Sequence, residues 1–197
     1  EHARAFLGDW KGHLVVDDYA GYKALFALGI SEVGCMAHAR RKFFELADIA
    51  GNVRKGRPAH EVSPVALEAV KRIDALFDIE HGLGGLTAEA RLEARMRLSR
   101  PLVHDLHGWL LAERAGMSKH NPVAKAINYM FEKEGRWAAF TRFLDDGRIC
   151  LTNNAAERSL CQRRRKNRPR GGAKLYHLGD GSLMPGLERA LARALPG

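Results

Sequence analysis

Two short apolar runs with one amphipathic stretch between them decide how residues 1–50 can fold. His13-Leu-Val-Val16 is β-branched at its end and suits a buried strand. Ile30 to Met36 reads as a second short strand. Between them Tyr22, Leu25, Phe26 and Leu28 fall in helical spacing, closed by Gly29. A helix is expected over residues 1–11, with Phe6, Leu7 and Trp10 on one side and Gly12 as its stop. Another is expected over 37–50, carrying the basic run Arg40-Arg41-Lys42. The order α, β, α, β, α favours a mixed or parallel sheet with helices packed on it.

The chain then changes period. Residues 51–63 form a polar loop. Pro64 to His81 places Val65, Ala69, Ile73, Leu76, Phe77 and Glu80 on one stripe, which predicts a helix. Thr87 opens a helical run to Ala115, and Pro101 is expected to break or kink it. Residues 122–134 and 137–144 read as two further helices. No strand pattern occurs between 51 and 145. Gly147-Arg-Ile-Cys-Leu151 is a short apolar link into Thr152-Asn-Asn-Ala-Ala-Glu-Arg158. Residues 162–174 are mostly basic with Pro and Gly, and a last short helix is expected over 183–195. The expected fold class is therefore α/β with a large all-helical insertion, mostly helical overall. Its segments are a core part (1–50), the insertion (51–145), a final core helix (146–161) and a basic tail (162–197).

Charge bounds the partners. The 197 residues carry 32 basic and 23 acidic side chains, a net charge of +9 and a pI near 9.8, which favours a polyanion as partner. No apolar run approaches the roughly 20 residues needed to cross a bilayer, and no signal-peptide pattern opens the chain. Cys35, Cys150 and Cys161 are odd in number and widely spaced, which argues against a disulfide framework and for a reducing cytosol. Cys35 and His38 have ligand-like spacing, as do His104 and His107, but structural zinc sites favour tighter pairs.

Two acidic positions carry chemistry. Asp17 stands where an expected strand ends, and ligands of open α/β sheets gather at the carboxyl ends of strands. The competing reading makes Asp17 or Asp18 a helix cap. Asn154 is a good N-cap with Glu157 at the reciprocal position of a capping box. The same turn would also present Glu157 to a metal, so capping and ligation are compatible. Two distant carboxylates can converge on Mg²⁺, which takes few protein oxygens and keeps water or phosphate as its other ligands.

Three motifs in register sharpen this reading. Asp17-Asp-Tyr-Ala-Gly-Tyr22, Gly34-Cys-Met-Ala-His-Ala-Arg-Arg-Lys-Phe-Phe44 and Asn153-Asn-Ala-Ala-Glu-Arg158 together resemble the catalytic region of bacterial transposases of the insertion sequence sixty-six family. Ile73 to Glu80, Arg91 to Arg97 and Ala124 to Tyr129 look similar too, and the resemblance covers about residues 1–161. It implies an RNase H-like core, here partial and lacking its first strands, with a DDE carboxylate triad and two Mg²⁺ (or Mn²⁺) ions. Asp17 would be the second acidic residue and Glu157 the third, both metal ligands. Arg40, Arg41, Lys42 and Arg158 would contact DNA phosphates. Cys35, His38, Asn153 and Asn154 would be structural or adjacent to the site. The implied partners are transposon ends and target DNA, further copies of the chain in a multimer, and accessory transposition proteins; the implied location is the cytoplasm, with no membrane association.

The sequence departs from that pattern in four places. The family's first Asp would lie upstream of Glu1, so the chain reads as a fragment. Met36 replaces an aromatic residue, and Asp18 stands where the family has Gly. After Cys161 the run Arg165-Lys-Asn167 arrives early and the similarity fades, which suggests a shifted reading frame or a decayed gene. The leading function is a transposase catalytic-region fragment that cleaves and transfers DNA strands. The alternative is a DNA-binding remnant that has lost its chemistry.

Overall fold

The computed structural model describes residues 7, 9–17, 22–47, 63–131 and 136–153. All of them belong to one compact unit, Glu1–Ser159. The expectations for residues 1–6, Asp18, the loop 51–62, Asn154, Glu157, Arg158 and the basic tail lie outside the described residues.

Strands β1 (His13–Val16) and β2 (Ser31–Gly34) pair in parallel, with Leu14 opposite Glu32 and Val16 opposite Gly34. The short crossover holds helix α1 (Lys23–Phe26) and turns at Gly29, whose φ of 90° is the left-handed region that glycine tolerates best. Helix α2 (Met36–Ala47) leaves β2 after a single residue. It buries Met36, Ala39 and Phe43, the i, i+3, i+7 face. The sheet is thus small and parallel, and the other regular elements of the described residues are helical.

The helices that follow begin where the sequence signals them. In α3 (Pro64–Gly82) the Ser63 hydroxyl accepts from the Ala66 N–H at 3.2 Å, with Pro64 in the first turn. In α4 (Ala88–Ala115) Thr87 accepts from the Ala90 N–H at 3.3 Å. In α5 (Pro122–Phe131) the Asn121 side chain accepts from the Val123 N–H at 2.8 Å. Helix α6 (Arg136–Thr141) runs into a 3₁₀ turn, Arg142–Leu144. Of the two outcomes expected at Pro101, a break does not occur: α4 runs through it. It removes one backbone hydrogen bond, but Ser99, Val103, Leu106 and Leu110 on either side of it are buried, and that packing holds the helix together.

Helix α3 packs on both α2 and α4, α5 packs on α2, and α6 lies on β2. The last contact depends on Gly34: a Cβ there would meet the Phe140 ring at 2.7–2.9 Å. One apolar core runs through these layers, from Val33 and Phe43 to Ile73, Leu106, Ile127 and Phe140. Ile149 and Leu151 join it, so the apolar link after the helical block returns to the sheet. There the Met36 N–H donates to the Leu151 carbonyl at 2.9 Å.

Arginines tie the block together. Arg95 of α4 is fully buried; its guanidinium is paired with Glu80 of α3 and donates to the carbonyls of Phe143 (2.9 Å) and Asp146 (3.2 Å). Arg91 donates to the Gly147 carbonyl at 3.1 Å. Arg142 donates to the Glu32 carbonyl at 3.0 Å, and Arg136 pairs with the Glu32 carboxylate. The exposed Arg148 holds the Asp146 carboxyl down to about 2.

Candidate active-site region

Three distant stretches meet at the carboxyl ends of the two strands. Val16 is buried as the last residue of β1, and Asp17 emerges beyond it with its side chain 39% exposed. Helix α1 has Tyr22 at its N-cap position, so Asp17 does not cap it. His38, on the first turn of α2, brings Nε2 to 3.8 Å from Asp17 Oδ2. That separation permits charge attraction but is too long for a hydrogen bond. Cys35 is fully buried between β2 and α2, and its thiol donates to Asn153 Oδ1 at 3.1 Å. The Asn153 contact spans 118 residues and fixes the start of the Asn-Asn-Ala-Ala-Glu-Arg segment at the strand ends.

Of the residues singled out from sequence, Asp17, Cys35, His38 and Asn153 therefore come together. Asn154, Glu157 and Arg158 lie outside the described residues. The basic run divides by helix face. Arg40 points to α3, where it forms a two-pronged ion pair with Asp74, one arm at 2.8 Å. That pair raises the Arg40 pKa above its ordinary value. Arg41 and Lys42 are exposed, at i+3 and i+4 from His38, so they continue the helix face that begins beside Asp17. The Lys42 ammonium lies 4.3 Å from the centre of the Tyr129 ring.

The wider Cys/His set does not assemble. His107 packs against the rings of Phe131 and Trp137, His104 is exposed beside Asp105, and Cys150 is exposed. Among the described residues no three His, Cys, Asp or Glu side chains group as a metal site.

Sequence reasoning missed Tyr129, whose hydroxyl donates to the Asp17 main-chain carbonyl at 3.1 Å. The available signal was a polar aromatic just off the buried stripe Val123, Ala126, Ile127, Met130 of α5. Sequence reasoning also missed the buried arginines. Glu80 on an otherwise apolar stripe was the one hint, because a carboxylate facing a core needs a cation there.

A parallel βαβ unit with a carboxylate at a strand end, joined to a helical block and carried on a basic chain, defines a mostly helical α/β protein with a small parallel sheet. Comparison with known families is more specific: the family described as "Transposase IS66 family" matches residues 1–170, and the chain belongs to it. The match runs past Cys161, so Arg165-Lys-Asn167 falls inside the family region. Three curated proteins of Sinorhizobium fredii (strain NBRC 101917 / NGR234) are similar. Uncharacterized protein y4hP is 49% identical, over 81% of this chain and 30% of its own length. Uncharacterized protein y4jD is 34% identical, over 78% of this chain and 29% of its own length. Uncharacterized protein y4qI is 32% identical, over 78% and 28%. The chain thus spans less than a third of the curated relatives it matches. No solved structure matches. No helix among the described residues is long and apolar enough to cross a membrane.

Proposed function

We propose that this chain is part of the catalytic region of a DDE-type transposase, with an RNase H-like core of which β1 and β2 are two strands. The observation that supports the reading is that Asp17 and the segment leading to Glu157 both lie against the start of α2, Asp17 beside His38 and Asn153 bonded to Cys35. Glu157 is four positions beyond Asn153, at most about 14 Å of extended chain. Asp17 and Glu157 would hold Mg²⁺ or Mn²⁺. The half-exposed Asp17 carboxylate is a hard oxygen donor at a strand end, which suits such a cation. The described residues supply one carboxylate, so the fit is that of a shared site completed by Glu157 and by the longer protein. Bound there, the metal pair would activate a water or a 3′-hydroxyl and stabilise the leaving oxygen of a phosphodiester.

The chain's own groups have separate tasks. Asp17 and Glu157 would hold the ions, and His38 flanks Asp17 with its Nε2 3.8 Å from the carboxylate. Arg41 and Lys42 contact backbone phosphates, which positions DNA without reading its sequence. Transposon ends, target DNA, further copies of the chain and accessory proteins are the proposed partners, and the cytoplasm the proposed location.

In the full-length gene product, Asp17→Asn and Glu157→Gln are each expected to lower strand cleavage and transfer by at least about 10³-fold, or about 4 kcal/mol of barrier. Binding to transposon-end DNA should persist in both. Near-parental joining by either variant would refute the assignment. The 197-residue chain alone is expected to bind DNA without cutting it in Mg²⁺ or Mn²⁺; Glu157-dependent cleavage by the purified chain would refute that. The arginine run offers a separate test. Arg41→Ala with Lys42→Ala should reduce the slope of log affinity against log salt by about 2, near 0.9 for each phosphate contact. Arg40→Ala should leave the slope alone and cost about 1 kcal/mol of stability, since its pair with Asp74 is partly exposed.

A further inference from the structure

We propose that Tyr129, on the helical block, is a positioning residue for Asp17; this rests on the reading of Asp17 as a metal ligand. The peptide planes on both sides of the Asp17 Cα are tied down. The plane before it is held by the Cys35 N–H, which donates to the Val16 carbonyl at 2.9 Å. The plane after it is held by the Tyr129 hydroxyl, which donates to the Asp17 carbonyl at 3.1 Å. Among the described residues strand pairing runs out at Val16 opposite Gly34, and the second tie comes from the helical block. Peptide planes are rigid, and with both held the carboxylate keeps only its two side-chain torsions.

Tyr129 is itself well fixed. The Lys42 ammonium and the Arg136 guanidinium lie 4.3 and 4.9 Å from its ring centre, and Phe140 meets it edge-on at 5.7 Å. Arg136 also donates to the Tyr129 carbonyl at 3.3 Å and pairs with Glu32 of β2. The phenol is therefore braced against the same sheet whose strand end it holds. A ligand with fewer torsions loses less freedom on coordinating an ion, so the hydroxyl raises metal affinity without touching the metal.

The experiment compares the 197-residue chain with its Tyr129→Phe and Asp17→Asn variants. Tyr129→Phe removes the hydroxyl and keeps the ring and its cation contacts, so its thermal midpoint should stay close to the parent's. Two NMR readings follow: the Asp17 carbonyl ¹³C shift, and the Mn²⁺ concentration that half-broadens the Val16 and Cys35 amides. In Tyr129→Phe the carbonyl resonance should move upfield, and half-broadening should need about three- to tenfold more Mn²⁺. In Asp17→Asn site-specific broadening should vanish. An unchanged carbonyl shift, or unchanged Mn²⁺ response beside a silent Asp17→Asn, would overturn the role of Tyr129. Broadening that survives in Asp17→Asn would instead overturn the metal-ligand reading, and the Tyr129 proposal with it.

Discussion

Replacing Arg95 with methionine is expected to cost about 3–5 kcal/mol, a large part of a domain's stability. The reasoning starts from burial. Arg95 is fully buried, while the Glu80 side chain it pairs with is 24% exposed. Methionine fills much of the same volume, so little cavity energy enters. What remains is electrostatic. Glu80 keeps its charge and loses its cation, the Phe143 carbonyl loses the Arg95 donor, and the Asp146 carbonyl keeps only the Ile149 N–H. A buried acceptor left without a donor costs about 1–3 kcal/mol. Partial exposure lets water reach Glu80, which trims the penalty but does not remove it.

The measurement is urea denaturation followed by circular dichroism, with a thermal scan beside it. For a chain of this size the midpoint should fall by roughly 10 °C or more. Glu80→Met added to Arg95→Met should restore part of the loss, because the stranded charge is gone while the bonds from Arg95 to the Phe143 and Asp146 carbonyls stay lost. A single variant within 2 °C or so of the parent would show that Arg95 is not the tie it looks to be. Function should follow stability. The turn at 143–146 launches the segment that carries Asn153 to Cys35, so loosening it should also weaken the strand-end site.

Much of this architecture is legible in the sequence because the signals are local. The β-branched run 13–16, the glycine at 29, the cap at Thr87 and the helix-starting Pro122 act on their own neighbours, and the corresponding elements start or stop there. Pro101 misleads for the complementary reason. Its local cost is real, but burial of residues around it is decided by α3 and the 3₁₀ turn, which no window on α4 can see. The basic run misleads in the same way. Arg40, Arg41 and Lys42 are equivalent as letters, and only the packing of α2 on α3 turns Arg40 toward Asp74. A basic composition likewise says nothing about how many arginines are internal ties rather than contacts for a polyanion. Asp17 was legible from its place at a strand end. Tyr129, which donates to its carbonyl, lies 112 residues away, and Asn153 reaches Cys35 across 118 residues; both contacts are set by tertiary packing.

Gly147→Ala is the second substitution with a large expected effect, and space is its reason. A Cβ on Gly147 would lie 1.8 Å from the Ala88 carbonyl oxygen and 2.7 Å from its carbon. Gly147 does not adopt a left-handed φ, so alanine meets no torsional obstacle and the clash alone decides. Carbon–oxygen contact needs more than 3 Å, and the opposing atoms are backbone at the start of α4, which cannot swing aside like a side chain. The segment must retreat by about 1.5 Å. That breaks the Arg91 bond to the Gly147 carbonyl and draws Ile149 and Leu151 out of the core. The expected loss is about 3 kcal/mol or more, at the upper end for overpacking. Gly108 supplies the control. It lies in α4 with nothing within 4 Å of its missing Cβ, so Gly108→Ala should stabilise the chain by about 0.5–1 kcal/mol. Opposite signs for the same chemical change would locate the effect in the contact of residue 147 with the start of α4. Equal, small shifts would mean that the return segment is not pressed against α4. Because Leu151 accepts from Met36 and Asn153 from Cys35, displacement at Gly147 should also expose the Cys35 thiol. Faster labelling of Cys35 in Gly147→Ala, resolved by mass spectrometry of its peptide, would connect the glycine to the strand-end site.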